Sequence, residues 1–250
     1  MIIYYSTIFM ILGMVLGSFY NVVGDRLPKN ESIVSPRSHC DNCKHQLTPF
    51  ELIPFFSYFF LKGKCLKCGC SISIIYPLFE LFSGLLFMIS YLVFGISMDL
   101  LISLTFISML LIIIISDYKY MIICDEILII GDILLIFELL FKNGFKSTLS
   151  SILYGLVAFV IMYLIKILGD IIFKRESMGG GDIKLMFTFG LVLGILNSVM
   201  SIFLASLIGF PISLVLLKIN KNHEVPFGPF LSLAAIIILL TRFNYLNLIF

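Results

Sequence analysis

Tryptophan is absent from the 250 residues, and charge is scarce: Asp, Glu, Lys and Arg together make up 13%. A soluble domain carries about 25% charged residues, so this chain has too few to clothe a water-facing globule. Disorder is excluded from the other side, because 60% of the residues are hydrophobic and the mean hydropathy is +1.10; disordered chains are polar. No strong charge of either sign is present, the net value being +2, which argues against a nucleic-acid partner. Without Trp, an interfacial belt must rest on the 11 Tyr residues. Six cysteines are too few for a disulfide-dense secreted scaffold. What remains is an all-α polytopic membrane protein, in contact with lipid, with one modest polar segment.

A membrane-crossing helix needs about 20 mostly apolar residues. The first candidate runs from Ile2 to Phe19. No basic stretch precedes it and no small-residue cleavage site follows it, so it reads as a retained helix rather than a signal peptide. Residues 1–23 therefore form a first transmembrane segment and 24–75 a small extramembrane module. Its apolar middle, Phe50 to Leu61, is expected to lie on the bilayer or pack on helices. Residues 76–250 form a membrane domain of about seven further spans. These are Leu78–Phe94, Leu100–Ile115, Ile127–Phe141, Leu149–Leu168, Ile183–Leu196, Val199–Leu217 and Phe230–Leu248, giving about eight in all.

Basic residues fix the orientation of such a bundle. The module carries Arg26, Lys29, Arg37, Lys44, Lys62, Lys64 and Lys67. Eight spans place three further loops on its side, adding Lys119, Lys174, Arg175, Lys218 and Lys221. The opposite side offers Lys142, Lys146 and Arg242. The imbalance predicts that the module and those three loops face the cytoplasm, with both termini outside.

Cys40-x2-Cys43 and Cys65-x2-Cys68 are separated by 21 residues. Two such knuckles suit one tetrahedral zinc ion held by four thiolates, as in a zinc ribbon. Four thiolates leave no open position for a reacting water, so the expected zinc is structural. His39 and His45 flank the first knuckle and read as surface residues. Cys70 reads as a spare thiol.

Acids are costly in a bilayer and usually functional there. The candidates are Glu80, Asp117, Asp125, Glu126, Asp132, Glu138 and Asp182. Glu126 and Glu138 sit near span ends; Asp132 interrupts an apolar run, as a functional acid or as a polar contact between helices. Asp117 ends a long apolar run, and Asp182 follows Gly179-Gly180-Gly181 at the start of another. That run presents a carboxylate on a glycine-rich loop beside a helix N-terminus, which favours negative charge. The alternative is a plain helix cap, a position Asp often fills. Two carboxylates meeting near the membrane surface share one proton, so that one acts as general base and the other as acid. Spacing alone does not bring residues 117 and 182 together. Gly13-x3-Gly17 fits a helix-packing face, and Lys184 fits either a substrate contact or a snorkelling surface residue.

Taken together, the motifs resemble the type IV prepilin peptidases, membrane aspartic proteases of the GxGD class. The resemblance is carried by LGSFYNVVGDRLP at Leu16–Pro28, by ESIVSPRSHC at Glu31–Cys40, and by the two CxxC pairs with Ile53-Pro54 and Ser57 between them. It continues in IIYPLFE at Ile74–Glu80, MGGGDIKL at Met178–Leu185 and PFGPFL at Pro226–Leu231. It implies that Asp182 is one catalytic Asp, in the glycine loop of Gly179, Gly180 and Gly181. It implies that the other belongs to the Asp-x7-Asp segment Asp117–Asp125, at Asp117 rather than Asp125. The chain departs from the family pattern at Cys124, where a proline is usual, and at Cys70. The implied activity is removal of a short leader from prepilins or pseudopilins on the cytoplasmic side of the bacterial cytoplasmic membrane. N-methylation of the new terminus with S-adenosylmethionine is implied by the resemblance alone, since no Gly-rich nucleotide loop or Rossmann-sized domain is present.

Three rivals make different demands. A transporter would show inverted repeats, and none is visible. A zinc-ribbon scaffold of a secretion or pilus machine would tolerate loss of Asp117 and Asp182. A signal-peptide-peptidase-like GxGD protease would not be expected to carry the cysteine module.

Overall fold

The computed structural model describes residues 1–40, 42–174, 176–219 and 225–242, without the side chains of 215–219. Arg175, Lys221, the Lys218 side chain and the end of the last expected span lie outside the described residues. Helix dominates, and no strand occurs among those residues. Long apolar runs leave backbone groups without water, so a helix, which satisfies them internally, is the only open form that serves. The chain divides into two compact units, Met1–Leu100 and Leu101–Phe250.

The first unit pairs α1 (Ile2–Arg26) with α3 (Ile75–Phe94). Their contact is built from small residues. A Cβ on Gly13 would come within 2.7 Å of the Ser83 carbonyl, and one on Gly17 within 2.7 Å of the Ser83 Cβ. The Ser83 hydroxyl donates to the Gly13 carbonyl at 2.7 Å, and Phe9 stacks on Tyr91 with centroids 5.1 Å apart. The Gly13-x3-Gly17 pattern is therefore the packing face of α1. Between these helices lies the cysteine module, with one short helix, α2 (Phe56–Phe60), where a bilayer-lying or helix-packed stretch was expected.

The second unit contains α4 (Met98–Tyr120, from Leu101 on), α5 (Asp125–Phe173), α6 (Gly180–Leu193), α7 (Ile195–Ile219) and α8 (Gly228–Thr241). Helix α5 is broken at Gly144 (φ 75, ψ 171), and Thr148 donates back to the Gly144 carbonyl at 3.0 Å to restart it. Its two arms correspond to the expected spans Ile127–Phe141 and Leu149–Leu168. The expected span Ile183–Leu196 overruns its helix, because α6 stops at Gly194 (φ +79). α1, α3, α4, α5 and α7 are long and apolar enough to cross a membrane, and α8 is a shorter apolar helix. The protein is a multi-pass membrane protein.

The core of this unit is formed by Phe106, Ile107, Leu110 and Leu111 of α4, Leu135 and Met162 of α5, Leu185, Met186 and Phe189 of α6, and Leu231 of α8, all essentially inaccessible. Gly155 of α5 and Gly190 of α6 cross at backbone contact, a Cβ on Gly190 falling 2.6 Å from the Gly155 Cα. Without a hydrophobic drive between helices in lipid, such close approach supplies the packing that holds them.

Candidate active site

Asp117 lies in the last turn of α4, 6% exposed. Asp182 lies in the first turn of α6, 8% exposed. They are brought within electrostatic reach of each other. The meeting point is organised by Ile123 in the short link between α4 and α5. A Cβ on Gly181 would fall 2.7 Å from the Ile123 Cβ, and one on Gly228 would fall 3.3 Å from the Ile123 Cδ1. The same Gly228 Cβ would come to 2.5 Å from Asp117 Oδ2. Instead, the bare Gly228 amide donates to Asp117 Oδ2 at 2.9 Å. Three chain segments thus converge at one spot: the end of α4, the start of α6 and the start of α8.

The glycines of the Gly179-Gly180-Gly181 run do different work. Gly179 is the extended residue ahead of α6 (φ -67, ψ 147), while Gly180 and Gly181 already belong to the helix. A Cβ on Gly180 meets nothing within 4 Å, and one on Gly179 meets only Asp182 Oδ2 at 3.7 Å, an ordinary contact. Gly181 alone has no room. Asp182 is not the residue capping α6, because that position is Gly179. Its Oδ1 is buried with no hydrogen-bond partner among the described residues. A buried carboxylate oxygen without a partner is costly in a purely structural role.

Asp125 is in a different setting. It is about half exposed and pairs with Lys184 Nζ at 2.7 Å to both of its oxygens. That salt bridge accounts for both residues. Asp132 accepts a hydrogen bond from Thr188 at 2.7 Å, tying α5 to α6. Glu138 accepts one from Thr105 at 2.7 Å, tying α5 to α4. Cys124 replaces the family's proline but holds φ at -72, within the range a proline ring imposes, so the turn into α5 keeps its shape. Sequence reading did not single out Gly228 or Ile123. The signal for Gly228 was Phe-Gly-Pro at the head of an apolar run, a site where a glycine permits close approach of another group.

In the other unit, the Sγ atoms of Cys40, Cys43, Cys65 and Cys68 all lie within 4.8 Å of one another. The pairs Cys40–Cys68 and Cys43–Cys65 are 3.7 and 3.9 Å apart. Four sulfurs at about 2.3 Å from one ion would stand about 3.8 Å apart at tetrahedral angles, so the donor set fits zinc. The two knuckles share one backbone pattern. Cys40 N–H donates to the His45 carbonyl at 2.9 Å and Cys65 N–H to the Cys70 carbonyl at 3.0 Å. The residue after each second cysteine, Lys44 or Gly69, is left-handed. Cys70 is thus the counterpart of His45. Hydrogen bonds from its neighbours Cys68 and Cys40 push its thiol up to about 12, and it stands outside the set of four. His39 bonds to the Arg37 carbonyl and His45 to Glu51, so neither is turned to the thiolates. Glu80 on α3 accepts the Phe55 N–H at 2.7 Å, pinning a backbone at φ +62 that a bulky residue rarely adopts.

Fold and site define a multi-pass membrane protein with a buried carboxylate pair in one unit and a four-cysteine cluster fit for a metal in the other. Residues 11–94 match the bacterial peptidase A24 N-terminal domain, and residues 104–214 match the type IV leader peptidase family. The chain is 38% identical to the prepilin leader peptidase/N-methyltransferase of Bacillus subtilis, over 92% of each chain. It is 31% identical to the protein of that name from Vibrio cholerae, over 94% of this chain and 96% of the relative. With the namesake from Neisseria gonorrhoeae it shares 30% identity, over 91% and 87%. The chain belongs to the type IV leader peptidase family. No solved structure matches it.

Proposed function

We propose that this chain is the membrane endopeptidase that removes the leader from type IV prepilins or pseudopilins, with Asp117 and Asp182 as its catalytic pair, and that it methylates the amine so exposed. The observation that carries the peptidase reading is the convergence of Gly181 and Gly228 on Ile123, with Asp117 against Gly228 and Asp182 one residue beyond Gly181. Two close carboxyl groups share one proton. The ionised one takes a proton from water as the water attacks the scissile carbonyl, and the protonated one donates to the carbonyl oxygen. Collapse of the tetrahedral intermediate breaks the C–N bond, and the leaving amine takes up a proton. The Gly228 amide holds Asp117 in place through Oδ2, and the lone Asp182 Oδ1 is left for water or substrate. A pilin's apolar helix resides in the membrane, which accounts for a protease that does so too.

A cytoplasmic position of this site at the bacterial cytoplasmic membrane is supported by the excess of Lys and Arg in residues 24–75 and in the loops after Asp117, before Asp182 and before Gly228. Cys40, Cys43, Cys65 and Cys68 would hold one zinc ion that fixes the fold of the module. When bound, S-adenosylmethionine would supply an electrophilic sulfonium methyl for that amine, with a neutral thioether as the leaving group and solvent as the acceptor of the amine proton.

The test is leader cleavage of a model prepilin in membranes. Asp117→Asn and Asp182→Asn are expected to abolish it and Asp125→Asn to spare it. Cleavage lost with Asp125→Asn and kept with Asp117→Asn would move the first acid by one helix turn and a link. Wild-type membranes that cut no prepilin would favour the scaffold or the transporter.

A further inference from the structure

The first unit contains a cavity of about 790 Å³, lined by α1, the cysteine module and the start of α3. That volume lies within the range of small-molecule and cofactor sites, about 300–1,000 Å³. The second unit has a smaller hollow of about 390 Å³, faced by Leu128, Ile129, Leu156, Phe159 and Phe187, with Asp125, Asp132 and Lys184 already paired. Only the first is polar enough for a zwitterionic nucleoside.

One lining residue stands out. Glu51 has a side chain only 2% exposed, yet it uses a single oxygen. Oε2 takes the Thr48 N–H and hydroxyl, both at 2.9 Å, and the His45 Nε2 at 3.2 Å. This reciprocal Thr-x-x-Glu turn, closed by the Glu51 N–H on the Thr48 hydroxyl, is a capping box. It fully explains Oε2 and leaves Oε1 out. Oε1 is buried and has no partner among the described residues, and Glu51 is one of the residues that line the cavity. Burial works against its charge, but the Thr48 and His45 contacts prevail and hold the carboxyl below its ordinary value. A buried anion in a cavity wall, with one of its oxygens unpartnered, calls for a cation.

We propose that this cavity is the S-adenosylmethionine site and that Glu51 Oε1 receives the ammonium of its amino-acid end. The inference rests on the methyl-transfer part of the function proposed above. Arg26, which also lines the cavity, suits the carboxylate of that same end. Tyr58 and Tyr76 offer aromatic faces suited to the adenine and the sulfonium.

The experiment is equilibrium dialysis of radiolabelled S-adenosylmethionine against the full-length protein in detergent. Glu51→Gln keeps a side-chain oxygen for the capping box, since Gln serves there as well as Glu, but puts an uncharged amide nitrogen in place of the unpartnered oxygen. It is expected to weaken binding about 10- to 100-fold, the range for a hydrogen bond to a charged group, with an unchanged thermal midpoint. Ser57→Trp, which fills the cavity from α2, is expected to abolish binding. Wild-type binding in Glu51→Gln overturns the proposal alone. A wild-type protein that binds no S-adenosylmethionine removes the methyl-transfer reading and the proposal with it. If Glu51→Gln instead loses only the binding of a mature-pilin N-terminal peptide, Glu51 serves the acceptor amine and the proposal falls.

Discussion

Steric room at single backbone positions decides which residues of the carboxylate site can vary. A methyl group on Gly228 would overlap Asp117 Oδ2, and one on Gly181 would overlap Ile123. Either substitution pushes a reacting group by a fraction of an ångström to an ångström, a displacement that can cost about 100-fold in rate. Gly228→Ala and Gly181→Ala are therefore expected to lower leader cleavage by about that factor, and Gly180→Ala, with open space beside it, to lose far less. Initial rates on a model prepilin check the order; equal losses at residues 180 and 181 would remove the steric account. The GxGD spacing is thus legible physically: its last glycine is required by a neighbour, and its middle one is free. The sequence pattern announced that glycines mattered. It could not say that Ile123 and Gly228 are the reasons, because those contacts join chain segments about 60 and 100 residues away.

Helices were legible because lipid allows little else. The ends were less so. Gly194 breaks a helix without any polar stretch to mark the break, and hydropathy runs straight through it, whereas the break at Gly144 falls among Lys142, Asn143, Lys146 and Ser147. Asp132 illustrates the same limit at the level of pairing. An acid in an apolar run suggests function or a helix contact with equal force, and only the fold shows Thr188 of α6 opposite it. That bond predicts a double-mutant pattern. Thr188→Val leaves a half-buried carboxylate without its partner and is expected to destabilise the bundle by about 1–3 kcal/mol. Adding Asp132→Leu removes the stranded group, and stability is expected to return most of the way, since replacing both partners by apolar groups is nearly neutral. Unfolding in detergent by denaturant reads both steps. Additive losses would show that the pair does not couple.

At the scale of the whole chain, two kinds of construction share one polypeptide. The second unit turns Ile129, Ile133, Phe137, Leu149, Leu153 and Leu156 of α5 outward, as a lipid-facing surface should, and holds its fold by small-residue crossings and a few buried polar bonds. The cysteine module has no such means. Among the described residues its one α-helix is five residues long, the isolated bridges His39–Gln46 and Lys64–Ser71 stand in for a sheet, and the nearly fully buried side chains fall overwhelmingly in the helices outside it. A segment of that size without a core usually needs a metal or disulfides to fold, and its cysteines are free thiols. Zinc should therefore be required by the module and not by the carboxylate pair, which lies in the other compact unit. Purified protein is expected to contain about one zinc per chain by elemental analysis, and Cys40→Ser or Cys65→Ser to lose it. A strong chelator should then abolish S-adenosylmethionine binding, since Cys40 and Cys65 line that cavity, while leader cleavage persists. Cleavage and cofactor binding lost together, at one chelator concentration, would show that the two units fold as one cooperative whole and that zinc serves both.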